Sequence, residues 1–265
     1  MGTVKADNVV SIKPVKVSCK DCRLRKFCLA ADLNAVELGM FERITQHRRS
    51  LERGAQVFHS GEKFNTLYTV RTGSLKTYTL TPDGREQITG FYLPGDLIGL
   101  DAMSSRVHGS SAEALETTTL CALPFNRLSS MQSESIQQRL LNLASEEIKN
   151  RDQHITLLGK ESADQRLASL LVHLADRFKT LGYSAQQFNL VMSRADIGNY
   201  LSLAIETVSR LFAKLRNSGL IAVDRRQLGI NNLDELRNFA ASEFPKDVRN
   251  HLPTDGSRAA LSVLI

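Results

Sequence analysis

Two hydrophobic periods divide the chain. Residues 33–49 carry apolar positions at helical spacing and predict one or two short helices. From about residue 51 the period becomes two. "AQVFHSG", "TLYTVRTG", "SLKTYTLTPDGR" and "EQITGFYLPGD" are short, alternating, β-branched and aromatic stretches punctuated by Gly, Pro-Asp-Gly and Pro-Gly. They predict an antiparallel β-roll of jelly-roll type. "SSAEALETTTLCALPF" supplies its last strands, with Cys121 on one of them. The helical period then returns. Residues 133–160 hold no Gly or Pro before Gly159 and predict one long helix. Leu141, Ile148 and Ile155 form one heptad row along it, and Ala144, Arg151 and Leu158 form the companion row. Such a stripe either packs on the roll or forms the seam of a dimer helix joining two domains. As a seam it places two arginines face to face, which weakens pairing.

Residues 163–181 predict an amphipathic helix with Leu167, Leu170, Leu171, Leu174 and Phe178 on its apolar side. Ser193 and Asp196 form a capping box that opens a further helix through Ile197, Tyr200 and Leu201. A break at 202–204 precedes a second helix from about Ile205 to Asn217, with Ile205, Val208, Phe212 and Leu215 as its apolar face and Gly219 as its stop. Two short helices about a tight turn predict a helix-turn-helix or a plain packing hairpin. "IAVDRRQLGI" after them predicts two strands about a basic turn, a wing.

The fold class is therefore α+β. A flexible arm is expected over 1–18, a sensor and β-roll region over 19–132, a dimerisation helix over 133–160, a winged helix-turn-helix over 161–240 and a disordered tail over 241–265. Composition adds little: 42% hydrophobic and 23% charged residues are ordinary for a globular protein. No apolar run reaches membrane-spanning length and the start lacks a signal-peptide core, so a cytoplasmic protein with no membrane partner is expected. The formal charge of +6 favours an anionic partner without choosing it. A metal-dependent enzyme on a jelly roll needs clustered histidines; the roll has only His59 and His108, far apart in sequence, so no enzyme is expected.

"CKDCRLRKFC" holds Cys19, Cys22 and Cys28, and Cys121 is the only other cysteine. A cytoplasmic chain of this size neither keeps nor needs a structural disulfide. Zinc sites usually bring a second close pair or histidines, and no His precedes His47. Three clustered thiolates with one remote ligand suit an iron–sulfur cluster. Arg23, Arg25 and Lys26 favour a negatively charged group, but zinc and a metal-free basic loop stay open.

On the second helix of the pair, Glu206, Ser209 and Arg210 lie near the N-terminus on one exposed face, and Lys214 follows one turn on. Arg can donate twice to guanine and Glu can accept from cytosine, whereas a carboxylate aimed at phosphate is repelled. The same pair also reads as a solvated ion pair. With the wing and the charge, double-stranded DNA is the expected partner.

At these residues the sequence resembles the FNR-type oxygen-responsive regulators of the CRP/FNR superfamily, over roughly 19–240. The cysteine run, "REQITGFYLPGDLIGLDAM" and "SRADIGNYLSLAIETVSRL" carry the likeness. The resemblance implies a [4Fe-4S] cluster on Cys19, Cys22, Cys28 and Cys121, with oxygen shifting a homodimer towards monomer. It implies palindromes of TTGAT-like half-sites, contact with RNA polymerase and control of anaerobic metabolism, with Glu206, Ser209 and Arg210 at the base-reading positions. Cyclic nucleotide is not expected: Leu100 follows Gly99 where that branch has Glu, and Ser110-Ser111-Ala112 stands where it has Arg-Ser-Ala. His154 or His173 would have to ligate haem in a haem-sensing relative, and each reads more simply as a helix-surface residue. Arg151 departs from the family's acidic seam residue, and Arg85 adds a charge to the 81–86 turn used towards polymerase.

Overall fold

The computed structural model describes residues 18–47, 50–160 and 162–241. The expected arm and tail lie, apart from Ser18 and Ala241, outside the described residues. The chain falls into two compact units. One holds everything up to Gly159 together with Asn189–Arg210; the other holds Lys160–Phe188 and Leu211 onward.

In the first unit the cysteine loop opens with a 3-10 turn at Cys19–Asp21 and leads into α1, Ala35–Ile44. Asn34 caps α1: its Oδ1 accepts from Val36 N and Glu37 N at 3.0 and 2.9 Å, and Glu37 Oε2 accepts from Asn34 N at 3.1 Å. Such a cap is worth about 1 kcal/mol. The roll follows as β1 Gln46–His47, β2 Gln56–Phe58, β3 Thr66–Thr72, β4 Leu75–Leu80, β5 Glu86–Tyr92, β6 Leu97–Ile98, β7 Ser111–Ala114 and β8 Thr119–Pro124. These make two antiparallel sheets, ordered β1-β8-β3-β6 and β2-β7-β4-β5. Val57, Phe58, Tyr68, Val70, Leu75, Tyr92, Ile98 and Leu120 fill the roll.

A short α2, Phe125–Ser130, leads into α3, Glu134–Lys160, which agrees with the expected helix to one residue. Its first turns join a second core in which Ile136 and Leu143 pack with Leu29, Leu33, Leu38, Phe41, Phe64, Leu67 and Leu123. Cys19 and Cys28 pack against the same core. Also in this unit is α5, Arg194–Leu201, capped by Ser193 and Asp196 as the sequence predicts. The second unit contains α4 Ala163–Thr180, the β-hairpin β10 Ile221–Asp224 and β11 Gln227–Ile230, and α7 Leu233–Ala241. The short strand β9, Gln187–Asn189, adds to β11. α6, Ile205–Asn217, has the predicted bounds and crosses from one unit into the other.

Candidate metal centre and DNA-reading surface

The cysteine loop is built from tight turns: Arg25 N donates to Cys22 O at 3.0 Å, Cys28 N to Leu24 O at 3.1 Å and Ala31 N to Cys28 O at 3.1 Å. Immediately after it, Leu29, Ala30, Ala31 and Leu33 are buried, which anchors the loop on the roll. Cys121 reaches the same place from β8, where it pairs with His47 of β1 and Thr69 of β3. None of the four thiols is in a disulfide, and all are half-buried. Burial pushes Cys19 up to about 12, and the fields of Cys121, Glu42, Cys28 and Cys22 push the same way. Burial raises Cys121 to about 11 against the opposing pull of Arg71, with Cys28 and Cys22 adding to the rise. Cys28 is raised chiefly by burial, while the Ala30 N–H at 3.4 Å from its Sγ and the Arg139 charge act in the opposite sense. Two segments far apart in sequence thus form one electrostatically coupled group of four thiols. Any ligand that takes them as thiolates must supply the energy of deprotonation. Among the described residues, no three His, Cys, Asp or Glu side chains are arranged to hold a single metal ion.

Sequence reasoning missed two cations here. Arg71 faces Cys121 electrostatically from the end of β3. Arg139, in the first turns of α3, donates to Phe27 O at 2.8 Å and Cys28 O at 3.3 Å. Neither follows from spacing, because both depend on how distant segments pack.

Beyond its first turns α3 presents the heptad row outward. Leu141, Ile148 and Ile155 are 63%, 61% and 67% exposed. Ala144 and Leu158 are half-buried and Arg151 is exposed. Arg151 is paired within its own helix. Its Nε donates to Glu147 Oε1 at 3.0 Å, and Tyr92 Oη donates to the same oxygen at 2.8 Å. His154, expected on the helix surface, is half-buried: it stacks on Tyr200 at 3.8 Å and 2°, with Nε2 2.8 Å from Tyr200 O.

The turn between α5 and α6 is tight because Ser202 adopts φ 54° and Leu203 N donates to Gly198 O at 2.8 Å. A Cβ on Gly198 would lie 2.6 Å from Leu203 O, so only glycine fits. α6 buries Val208, Leu211, Phe212 and Leu215. Ile205, expected on that face, is 46% exposed instead, because it lies in the first turn, before the buried stripe begins. Glu206, Ser209 and Arg210 are all exposed on the outer side. Ser209 Oγ donates to Ile205 O at 2.9 Å, and Arg210 Nη2 to Thr207 Oγ1 at 3.4 Å. Lys214 pairs with Asp164 of α4. In the wing, Asp224 pairs with Gln227, leaving Arg225 and Arg226 as a two-residue turn with both side chains exposed and Arg225 at φ 53°. In the 81–86 turn Arg85 Nε lies 2.6 Å from Asp83 Oδ2.

No helix among the described residues is long and apolar enough to cross a membrane. The cyclic nucleotide-binding domain family matches residues 48–135, and the Crp-like helix-turn-helix domain family matches 165–239. The chain is 42% identical over 228 residues to the transcriptional activator protein anr of Pseudomonas aeruginosa, covering 85% of this chain and 93% of that protein. It is 40% identical over 226 residues to the fumarate and nitrate reduction regulatory protein of Escherichia coli, covering 84% and 90%. The solved structure of FixK2 from Bradyrhizobium japonicum is similar at a TM-score of 0.69 and 30% identity, covering 76% of this chain and all of that one. A β-roll, a long helix and a helix-turn-helix, with this likeness along most of its length, make the chain a member of the FNR-type branch of the CRP/FNR family of DNA-binding transcription regulators.

Proposed function

We propose that this regulator senses oxygen through a [4Fe-4S] cluster held by Cys19, Cys22, Cys28 and Cys121. The observation that carries the reading is the joining of the loop thiols and Cys121 into one coupled, disulfide-free group. Four thiols suit the donor set of such a cluster, and a net negative group would be balanced by Arg71 and Arg139. When bound, the cluster supplies an oxygen-labile cross-link between loop and roll. The chain's own residues carry that state onward. Leu29, Leu33 and Phe41 share a core with Ile136 and Leu143 of α3, and Arg139 holds the carbonyls at the loop's end.

In this reading α3 forms the dimer seam through Leu141, Ala144, Ile148, Arg151, Ile155 and Leu158. Full burial of each exposed Leu or Ile is worth about 1.5–3 kcal/mol. Across two chains that is on the order of 10 kcal/mol gross, against an association cost of about 4–15 kcal/mol. The pairing is therefore marginal, as a switch requires. The dimer places two α6 helices on a palindrome of TTGAT-like half-sites, with Glu206, Ser209 and Arg210 reading bases, and acts on RNA polymerase at genes of anaerobic metabolism. Lys214, Arg225 and Arg226 meet phosphates. Cyclic nucleotide is not its ligand. Position 110 is serine rather than arginine, and Asp101 Oδ2 already accepts from Gly109 N at 3.0 Å and Ser110 Oγ at 3.2 Å, so an anion using these donors would meet a carboxylate.

Anaerobic purification with an absorption spectrum and iron and sulfide assays tests the reading. A brown protein with about four iron and four sulfide per chain is expected. A colourless protein carrying zinc would overturn it.

A further inference from the structure

Among the described residues, the sheet order β2-β7-β4-β5 leaves β5 with no strand on its outer edge. An open edge presents backbone N–H and C=O groups that need partners. The side chain of Asn199, on α5, meets both. Its Oδ1 accepts from Ile88 N at 2.6 Å and its Nδ2 donates to Glu86 O at 2.6 Å. One carboxamide thereby reproduces the paired bonds of a ladder residue. Gln87 Nε2 returns a bond to Asn199 O at 3.1 Å. Beside it, the buried Lys76 of β4 lies 3.1 Å from Glu86, 3.7 Å from Glu113 and 3.5 Å from Asp196, the capping residue of α5. Tyr200 packs between Phe91 of β5, at 4.9 Å, and His154 of α3.

One stretch of α5, Asp196 to Tyr200, is therefore bonded to β4, β5 and α3 at once. The contacts leave Glu206, Ser209 and Arg210 exposed, so they do not mask the reading face. The turn after Asn199 is rigid because Gly198 has no room for a side chain against Leu203 O. Position is thus passed from the roll and α3, through α5, to the first turns of α6. All of these residues lie in one compact unit.

We infer that Asn199, with Gln87 and Lys76, is a positioning clasp that fixes the reading end of α6 against α3 and so makes the dimer selective for the spacing between its two half-sites. The inference rests on the proposed reading of a palindrome by a dimer. Two reading helices on one duplex must stand about one DNA turn apart. Each inserted base pair moves a half-site by about 3.4 Å along the axis and by roughly 35° around it. A clasped helix cannot follow that movement, whereas a released one can.

The test uses the full chain, loaded anaerobically with its cluster, and fluorescence anisotropy on three duplexes. These are a TTGAT palindrome at the spacing the parent prefers, the same palindrome with two base pairs inserted, and a single half-site. In Asn199→Ala and in Gln87→Ala the preference for the correct spacing is expected to fall by about tenfold, the weight of one or two lost hydrogen bonds. Single half-site affinity, iron content and sedimentation should stay those of the parent. Asn199 is only half-buried, and Gln87→Ala repeats the test from the roll side should Asn199→Ala melt early. Two results would overturn the clasp: a parent indifferent to spacing, or variants whose preference is unchanged or whose affinity falls equally on all three duplexes. A loaded parent that binds none of the duplexes would instead overturn the DNA-reading proposal, and the clasp with it.

Discussion

Arg210 and Lys214 stand one turn apart on α6 but differ in what holds them. Arg210 Nη2 donates to Thr207 Oγ1 at 3.4 Å, and the residue is exposed where it can meet a base. Lys214 shares its charge with Asp164. Arg210→Ala should cost about 1–3 kcal/mol on a cognate duplex and relax one base position. Lys214→Ala should weaken cognate and scrambled duplexes alike, and lower the salt slope less than Arg226→Ala does, because its cation is already partly neutralised. Salt titrations on both duplexes check this; a larger slope change for Lys214 would contradict it. His108 gives a prediction in pH. It is 4% exposed, stacked on Phe58 at 3.8 Å, and its Nδ1 is 3.9 Å from Asp101 Oδ1, too long for a hydrogen bond. Burial lowers it below 6.5, although Asp101 and Glu62 pull the other way. The unfolded chain then takes up the proton first as pH falls. Its contribution to stability is complete above about pH 6.5 and is lost below that, towards the lower folded value. Thermal melts between pH 7.5 and 5.5 should show a shallower acid decline in His108→Phe than in the parent, and an equal decline would refute the assignment.

Among the elements, α3 shows how far sequence reaches. Its bounds, those of α6 and the capping box of α5 were legible because periodicity, caps and stop signals are local. The β-roll was legible from its punctuation. Glu147 as partner of Arg151 was within reach, four residues back on the same helix, but Tyr92 as the third member was not, since it arrives from β5. Nor could spacing show Asn199 on the edge of β5, or His154 beneath Tyr200. With Arg151 paired to Glu147, the proposed seam would be weak through its small apolar area rather than through facing bare cations. Ile148→Glu, at the centre of the exposed row, should then leave the loaded protein monomeric at micromolar concentration without lowering its iron content. Sedimentation velocity decides this, and a persisting dimer would place the interface elsewhere.

At the scale of the molecule, the candidate centre and α3 are joined by continuous packing rather than by a single bond. The cysteine loop, α1 and the start of α3 share one core, Ser133 Oγ bonds Glu37 Oε1 at 2.6 Å, and Arg139 ties α3 to Phe27 and Cys28. A change in the loop would have a short route to the proposed seam through these contacts. The three clustered cysteines stand out in the sequence, but the remote one is brought towards them only by the pairing of β8 with β1 and β3. The proposed centre therefore depends most directly on Cys121. The deciding measurement is the iron and acid-labile sulfide content of anaerobically prepared Cys121→Ser beside Cys22→Ser and the parent. Both variants should lose the cluster to the same extent; a Cys121→Ser protein with the parent's full iron and sulfide would remove Cys121 from the ligand set.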